Sequence, residues 1–331
     1  MTSPIELIVI GSINHDLVLN VVELPAPGKT AIAMRSSAGV GGKGANQAAA
    51  AATVGVRTAF VGRIGVDSAG MAARSYLRGL GIDETHVVSD GEAATGSAFV
   101  TVDSAGENVI VVDPGANFRV VAAEVRRSIR SLTVANGGHR PTVLAQGELR
   151  GNILDEVAAA THELGLRFIL NLAPAIDVSK ETLLNSNPLV VNEGEARDLL
   201  LSLAGATTAP DTAENVAMAL AERLAIPLVV TLGKRGALVI DKTARWAQPA
   251  PVAASVVDST GAGDAFTGVL AAALSGGSSL EEATRRAVTA GAYAVGIGGT
   301  AQSHIDWKTL ESQVADAPAA LDFFSAGEVG A

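Results

Sequence analysis

Short β-branched runs alternate along this chain with stretches of helical pattern, and that rhythm restricts the possible fold more than any other feature. Residues 6–13, 58–63, 142–146, 167–172, 189–191 and 228–231 are continuous apolar runs, as expected of strands buried on both faces. Helical patterns cover residues 45–54, 68–80, 151–164, 195–203, 211–224, 262–274, 280–295 and 306–314. Asp67 is placed to cap one of them, and Gly81 and Gly165 to close two. Strands alternating with helices of about 10 to 15 residues predict an α/β fold with a doubly wound, mostly parallel sheet. Residues 6–13 are expected at its centre, and a further strand over 237–241.

The rhythm breaks between residues 86 and 112. Alternating segments over 97–103 and 107–112 flank Ser104, Ala105 and Gly106 as the arms of a hairpin would. With residues 16–38 they are expected to form a small antiparallel sheet apart from the main one. The predicted division is a core of residues 1–15, 39–85 and 119–315, a small second sheet of 16–38 and 86–118, and a loose tail of 316–331.

Composition removes several classes of function. With no cysteine, the chain has no disulfide, no thiol chemistry and no Cys-ligated metal. A net charge of −10 without a basic patch argues against nucleic-acid partners. No apolar run approaches the roughly 20 residues of a membrane helix, and the N-terminal stretch lacks a signal-peptide pattern, so a cytoplasmic location is expected. The five histidines lack metal-ligand spacing, and no G-x-S-x-G elbow is present. Gly39, Gly41 and Gly44 spell a formal G-x-G-x-x-G, but they do not follow the first strand, and Arg63 stands where a dinucleotide site needs an acid. Glu23 replaces the first glycine that a Walker A loop ending in Gly28, Lys29 and Thr30 would need.

Four segments could carry chemistry. In the first, Gly261, Ala262 and Gly263 precede Asp264 at a helix start, where free amides would make an anion hole. A carboxylate there costs repulsion beside a phosphate, which suits a proton acceptor; a helix cap with a tight turn is the other reading. In the second, glycines surround Lys43, Asn46 and Gln47, donors suited to a polyhydroxylated ligand. Asn14 and Asp16 follow the first strand at a carboxyl edge, where such sheets bind ligands. Asn192 and Glu195 stand in the same place after another strand, as a hydrated-Mg²⁺ site or a plain helix cap.

In this order the segments resemble the ribokinase-like (PfkB) family of carbohydrate kinases, over about residues 6–310. The run Gly41, Gly42, Lys43, Gly44, Ala45, Asn46, Gln47, Ala48 is similar to its ribokinase branch. The resemblance implies an α/β/α sandwich with a β-sheet lid, and ATP-dependent transfer of the γ-phosphoryl group to a primary sugar hydroxyl, D-ribose first. Deoxyribose, fructose or a nucleoside, or a non-catalytic sugar or nucleotide sensor, are the alternatives. It implies Asp264 as base and the amides of Gly261, Ala262 and Gly263 as anion hole. Asn14, Asp16, Gly42, Lys43, Gly44, Ala45, Asn46, Glu148 and Asp264 match sugar-binding positions. Asn192, Glu195, Thr231, Leu232, Gly233, Lys234, Arg235, Gly236 and Gly263 match positions for the nucleotide and its Mg²⁺. A K⁺ is implied at Asp258, Thr260, Ala294, Ile297, Gly299 and Ser303, and a homodimer through the lid.

Overall fold

The computed structural model describes residues 3–105, 107–242, 244–253, 257, 260–297 and 304–323. The chain opens with β1 (Leu7–Ile10), makes β2 (Asn14–Asn20) and β3 (Arg35–Gly41), then passes through α1 (Lys43–Thr53), β4 (Thr58–Gly65), α2 (Ser68–Gly79) and β5 (Asp83–Asp90). A second excursion forms β6 (Gly96–Val102) and β7 (Asn108–Asp113). There follow α3 (Ala122–Ala135), β8 (Thr142–Gln146), α4 (Gly151–Leu164), β9 (Phe168–Asn171), α5 (Lys180–Leu184), β10 (Leu189–Asn192), α6 (Glu193–Ala204), α7 (Ala213–Leu224) and β11 (Leu228–Thr231). The last elements are β12 (Ala237–Ile240), β13 (Arg245–Gln248), α8 (Ala262–Ser275), α9 (Leu280–Val295), α10 (Trp307–Ala315) and β14 (Leu321–Asp322).

Among the described residues ten strands form the main sheet, in the order β14-β13-β12-β11-β10-β9-β8-β1-β4-β5. From β5 to β11 every pair is parallel. Beyond β11 the pairs turn antiparallel, because the connection over residues 232–236 is too short for a crossover. Alternate residues of β1 enter opposite cores. Ile8 and Ile10 pack with side chains of α3, α4, α6 and α7, whereas Leu7 and Val9 pack with those of α1, α2, α8 and α9. All four are fully buried, which makes the three-layer sandwich.

Local signals act where the sequence places them. The Asp67 carboxylate accepts from Gly70 N at 2.7 Å, Gly81 has φ +72°, and Gly165 closes α4 in the left-handed conformation at φ +63°.

Four expectations need correction. First, β1 is not the sheet centre: only β4 and β5 lie beyond it on one side, yet it is buried on both faces as its sequence requires. Second, residues 86–90 belong to the core sheet, because β5 pairs with β4 in parallel. Its alternation reflects an edge strand with one covered face, not a lid hairpin. Third, the lid order is β3-β2-β6-β7, and its middle pair, β2 with β6, is parallel because two separate hairpins meet there. Fourth, the segment after residue 315 is not all loose: β14 extends the main sheet, and Phe323 is 1% exposed.

Candidate active site

Two helices begin on glycines with positive φ, and they differ in what their free amides do. At α1, Gly42 has φ +87° and no side chain caps the helix. Lys43 N donates to Glu148 Oε2 at 2.9 Å, Gly44 N to Ser12 Oγ at 3.3 Å, and Ala45 N to Ser12 O at 3.0 Å. Gly44 and Ala45 are therefore buried members of the scaffold, with their amides already engaged. At α8, Gly261 has φ +82°, again without a side-chain cap, and Asp264 in the first turn points elsewhere. The amides that follow Gly261 have no helical acceptor, and among the described residues no side chain caps them, so the positive end of α8 can receive an anion.

Asp264 is buried, and its two oxygens are held separately. Asn46 Nδ2 donates to Oδ2 at 3.0 Å, and Gln47 Nε2 donates to Oδ1 at 2.9 Å. Gln47 Nε2 also reaches Asn171 Oδ1 at 2.9 Å, while Asn171 Nδ2 donates to the Val190 carbonyl at 3.1 Å. That carbonyl can only accept, so it fixes the orientation of both amides and leaves Gln47 an N–H to aim at Asp264. This differs from the expected role of Gln47, whose side chain is fully buried and turned to a carboxylate instead of a ligand. The reason is close packing: Gly268 of α8 lies where a Cβ would strike the Gln47 carbonyl. Two helices that touch there place residues 46 and 47 against 264.

Around this pair the charges converge. The Asp264 carboxylate, and beyond it Glu148 and Glu195, hold Lys43 above its ordinary value against the opposing effect of burial. Burial, reinforced by Glu148 and Asp264, pushes the Asp16 carboxyl up to about 7. Its Oδ1 is buried and has no hydrogen-bond partner among the described residues. Gly41 leaves the space that Asp16 occupies, since a Cβ at 41 would overlap the carboxylate. Asn14 and Asp16 share one face of β2, while His15 between them is exposed on the other. Glu148 Oε2 is fixed by Lys43 N and by Ser12 Oγ at 2.5 Å. His304 is pushed down to about 4 by burial, despite the opposing influence of Asp264, so it is neutral near pH 7.

Further along the same edge, Asn192 pairs in register with Thr231. Asn192 and Glu195 form a reciprocal cap on α6, Glu195 N to Asn192 Oδ1 and Asn192 N to Glu195 Oε2, each at 2.8 Å. Burial holds Glu195 above its ordinary value. Leu232 N bonds to Gly236 O at 2.8 Å around Gly233 and Lys234, and Arg235 reaches Glu193 at 2.7 Å. Among the described residues no cluster of three or more His, Cys, Asp or Glu could hold a metal alone. A single half-buried carboxylate does fit a hydrated Mg²⁺ that takes its remaining ligands from phosphate and water.

For the monovalent cation, Val257 N donates to Val295 O at 2.9 Å, which holds Val257 against the end of α9, near Ala294 and Ile297 in the chain. Thr260 stands next to Gly261; Asp258, Gly299 and Ser303 lie outside the described residues. The donor types of the set, carbonyl, hydroxyl and carboxylate oxygens, fit a hard cation.

Sequence reasoning missed Ser12, Asn117 and the orienting part of Asn171. Each acts through bonds to residues remote in the chain, and none carries a local signal.

The sequence from residue 5 to 307 matches the family described as pfkB family carbohydrate kinase. A ribokinase of Haemophilus influenzae is 34% identical over 309 residues, covering 92% of this chain and 97% of the relative. The solved ribokinase of Thermotoga maritima superposes with a TM-score of 0.82 at 30% identity, over 93% of this chain and 99% of its own. That of Arabidopsis thaliana, complexed with ribose and ATP, gives 0.80 at 32%, over 95% and 99%. With a main sheet, lid and amide-rimmed carboxylate all in place, the chain belongs to the pfkB family of carbohydrate kinases, enzymes that move a phosphoryl group from ATP to a sugar.

Proposed function

We propose that this kinase phosphorylates the primary hydroxyl of D-ribose, yielding ribose 5-phosphate. The observation that carries the reading is Asp264, held by Asn46 and Gln47 at the uncapped start of α8. Asn14, Asp16, Gly42, Lys43, Asn46 and Glu148 bind the sugar hydroxyls, with Gly44 and Ala45 shaping the floor. Asp264 takes the proton of the attacking hydroxyl, and the amides of Gly261, Ala262 and Gly263 meet the charge on the phosphoryl oxygens. Phosphoryl transfer depends more on position than on base strength, so what the site must supply is a carboxylate held in place. Asn192 and residues 231–236 hold the nucleotide. When bound, Mg²⁺ neutralises phosphate charge; Glu195 would orient its water shell. A K⁺ at Asp258, Thr260, Ala294, Ile297, Gly299 and Ser303 would order the loop that carries Gly261.

Ribose is favoured by the buried polar set. A sugar lacking one hydroxyl would leave a buried partner such as Asp16 Oδ1 unsatisfied, a discrimination on the order of 10⁴. The lid also suggests a homodimer: Phe99, Val109, Ile110, Val111 and Val112 are exposed on a sheet that ends at the uncovered strand β7.

The test is an ADP-release assay with ribose, 2-deoxyribose, fructose, adenosine and inosine, in K⁺ and in Na⁺ buffer. Highest kcat/KM on ribose, with K⁺ activating, is expected. A nucleoside preferred over ribose, or no turnover on any of the five, would overturn the reading.

A further inference from the structure

Asn117 lies in the 3₁₀ turn Gly115–Arg119, by which the chain comes back from β7 to the core, and it is 2% exposed. Its side chain reaches 104 residues back along the sequence. Oδ1 accepts from Ile13 N at 2.9 Å, and Nδ2 donates to Ile13 O at 3.1 Å and to Asn14 Oδ1 at 2.8 Å. The backbone settles which way this amide faces, since Ile13 N–H can only donate and Ile13 C=O only accept. Asn14 must then meet the Asn117 N–H with its oxygen. Its own Nδ2, which donates to no acceptor among the described residues, is the end left for a ligand. Gly96 closes the arrangement, because a Cβ there would strike both Asn117 Nδ2 and Asn14 Oδ1.

We propose that Asn117 is a positioning residue for substrate recognition: it forces Asn14 to show the ligand an N–H donor and never a carbonyl. Asp16, two residues along the same strand face, offers the opposite character, an Oδ1 acceptor with no partner among the described residues. Together they suit a ligand group that accepts from one side and donates to the other. A hydroxyl does both. An ammonium has no lone pair for Asn14, and a fluorine has no proton for Asp16. The specificity of this subsite for hydroxyl thus depends on a residue that touches no substrate.

The inference rests on the reading that Asn14 and Asp16 hold the sugar, and a double-mutant cycle separates the two. Asn117→Asp keeps size and the bond from Ile13 N but loses both donated bonds, and a carboxylate that can only accept draws the Asn14 Nδ2 toward itself, so Asn14 no longer turns its N–H to the ligand. Sugar KM is expected to rise about tenfold or more, with kcat and ATP KM within about threefold of wild type. In an Asn14→Ala background the same change should add less than about twofold, because Asn117 acts through Asn14. If Asn117→Asp does not fold, as judged by circular dichroism, Asn117→Ala takes its place in the same cycle. An equal rise in both backgrounds would make Asn117 a structural residue only, and an unchanged sugar KM in the single variant would also overturn the proposal. If Asn14→Ala alone leaves sugar KM at the wild-type value, the sugar-site reading itself fails, and the proposal with it.

Discussion

At the scale of single residues, the site is a set of carboxylates whose neighbours decide what each can do. Asp264 is gripped by two amide donors and stands beside Lys43. Asp264→Asn should lower kcat by about 10² or more while sugar and ATP still bind, as read by single-turnover kinetics and calorimetry. Normal turnover would remove Asp264 as the base. Gln47→Glu keeps the shape but sets a second carboxyl against the first. Like charges disfavour ionisation, so the acid limb of the kcat/KM pH profile should move up by about one unit or more, and an unmoved limb would deny Gln47 this contact. Asp16 makes a separate prediction about pH. Its ordinary value of 3.8 rises to about 7 in the folded chain, so the folded protein keeps a proton that the unfolded one releases. The stability this group contributes is full below about 4, falls as pH rises toward 7, and is flat above. Urea midpoints of the ligand-free protein should therefore fall less between pH 4.5 and 7.5 in Asp16→Asn than in wild type. If the two slopes agree, Asp16 titrates normally.

At the scale of elements, the close crossing of α1 and α8 sets the geometry. The run of alanines in α1 and Gly268 in α8 let the backbones approach until the Gln47 carbonyl fills the space of a missing Cβ. Gly268→Val should cost about 1–3 kcal/mol by urea denaturation and lower kcat more than it raises either KM, since it moves Asp264 away from Asn46. A fully active, equally stable variant would show that the crossing tolerates a side chain. What could be read from sequence follows the same division. Strand runs and caps such as Asp67, Gly81 and Gly165 are local, so they were legible. Lys43, Asn46 and Asp264 stood out because glycines surround them. The parallel placement of β5, the return of Phe323 to the core and the turn of Gln47 toward Asp264 depend on which distant surface arrives. No window of sequence holds that information. Asn117 is the extreme case, an ordinary asparagine beside a Pro-Gly turn until Ile13 lies against it.

At the scale of the whole molecule, the lid is two hairpins joined by one parallel pairing, with an apolar strand left uncovered. Val111→Lys combined with Phe99→Lys should convert the proposed dimer to a monomer in sedimentation velocity, and a monomeric wild type would dismiss the dimer. The hydrogen bond between Asn46 and Asp264 spans 218 residues of chain. Because the base comes from a helix so far along the chain from the glycine run, a form in which α8 has not docked has no base with which to consume ATP, and turnover itself reports that the two ends of the chain have met.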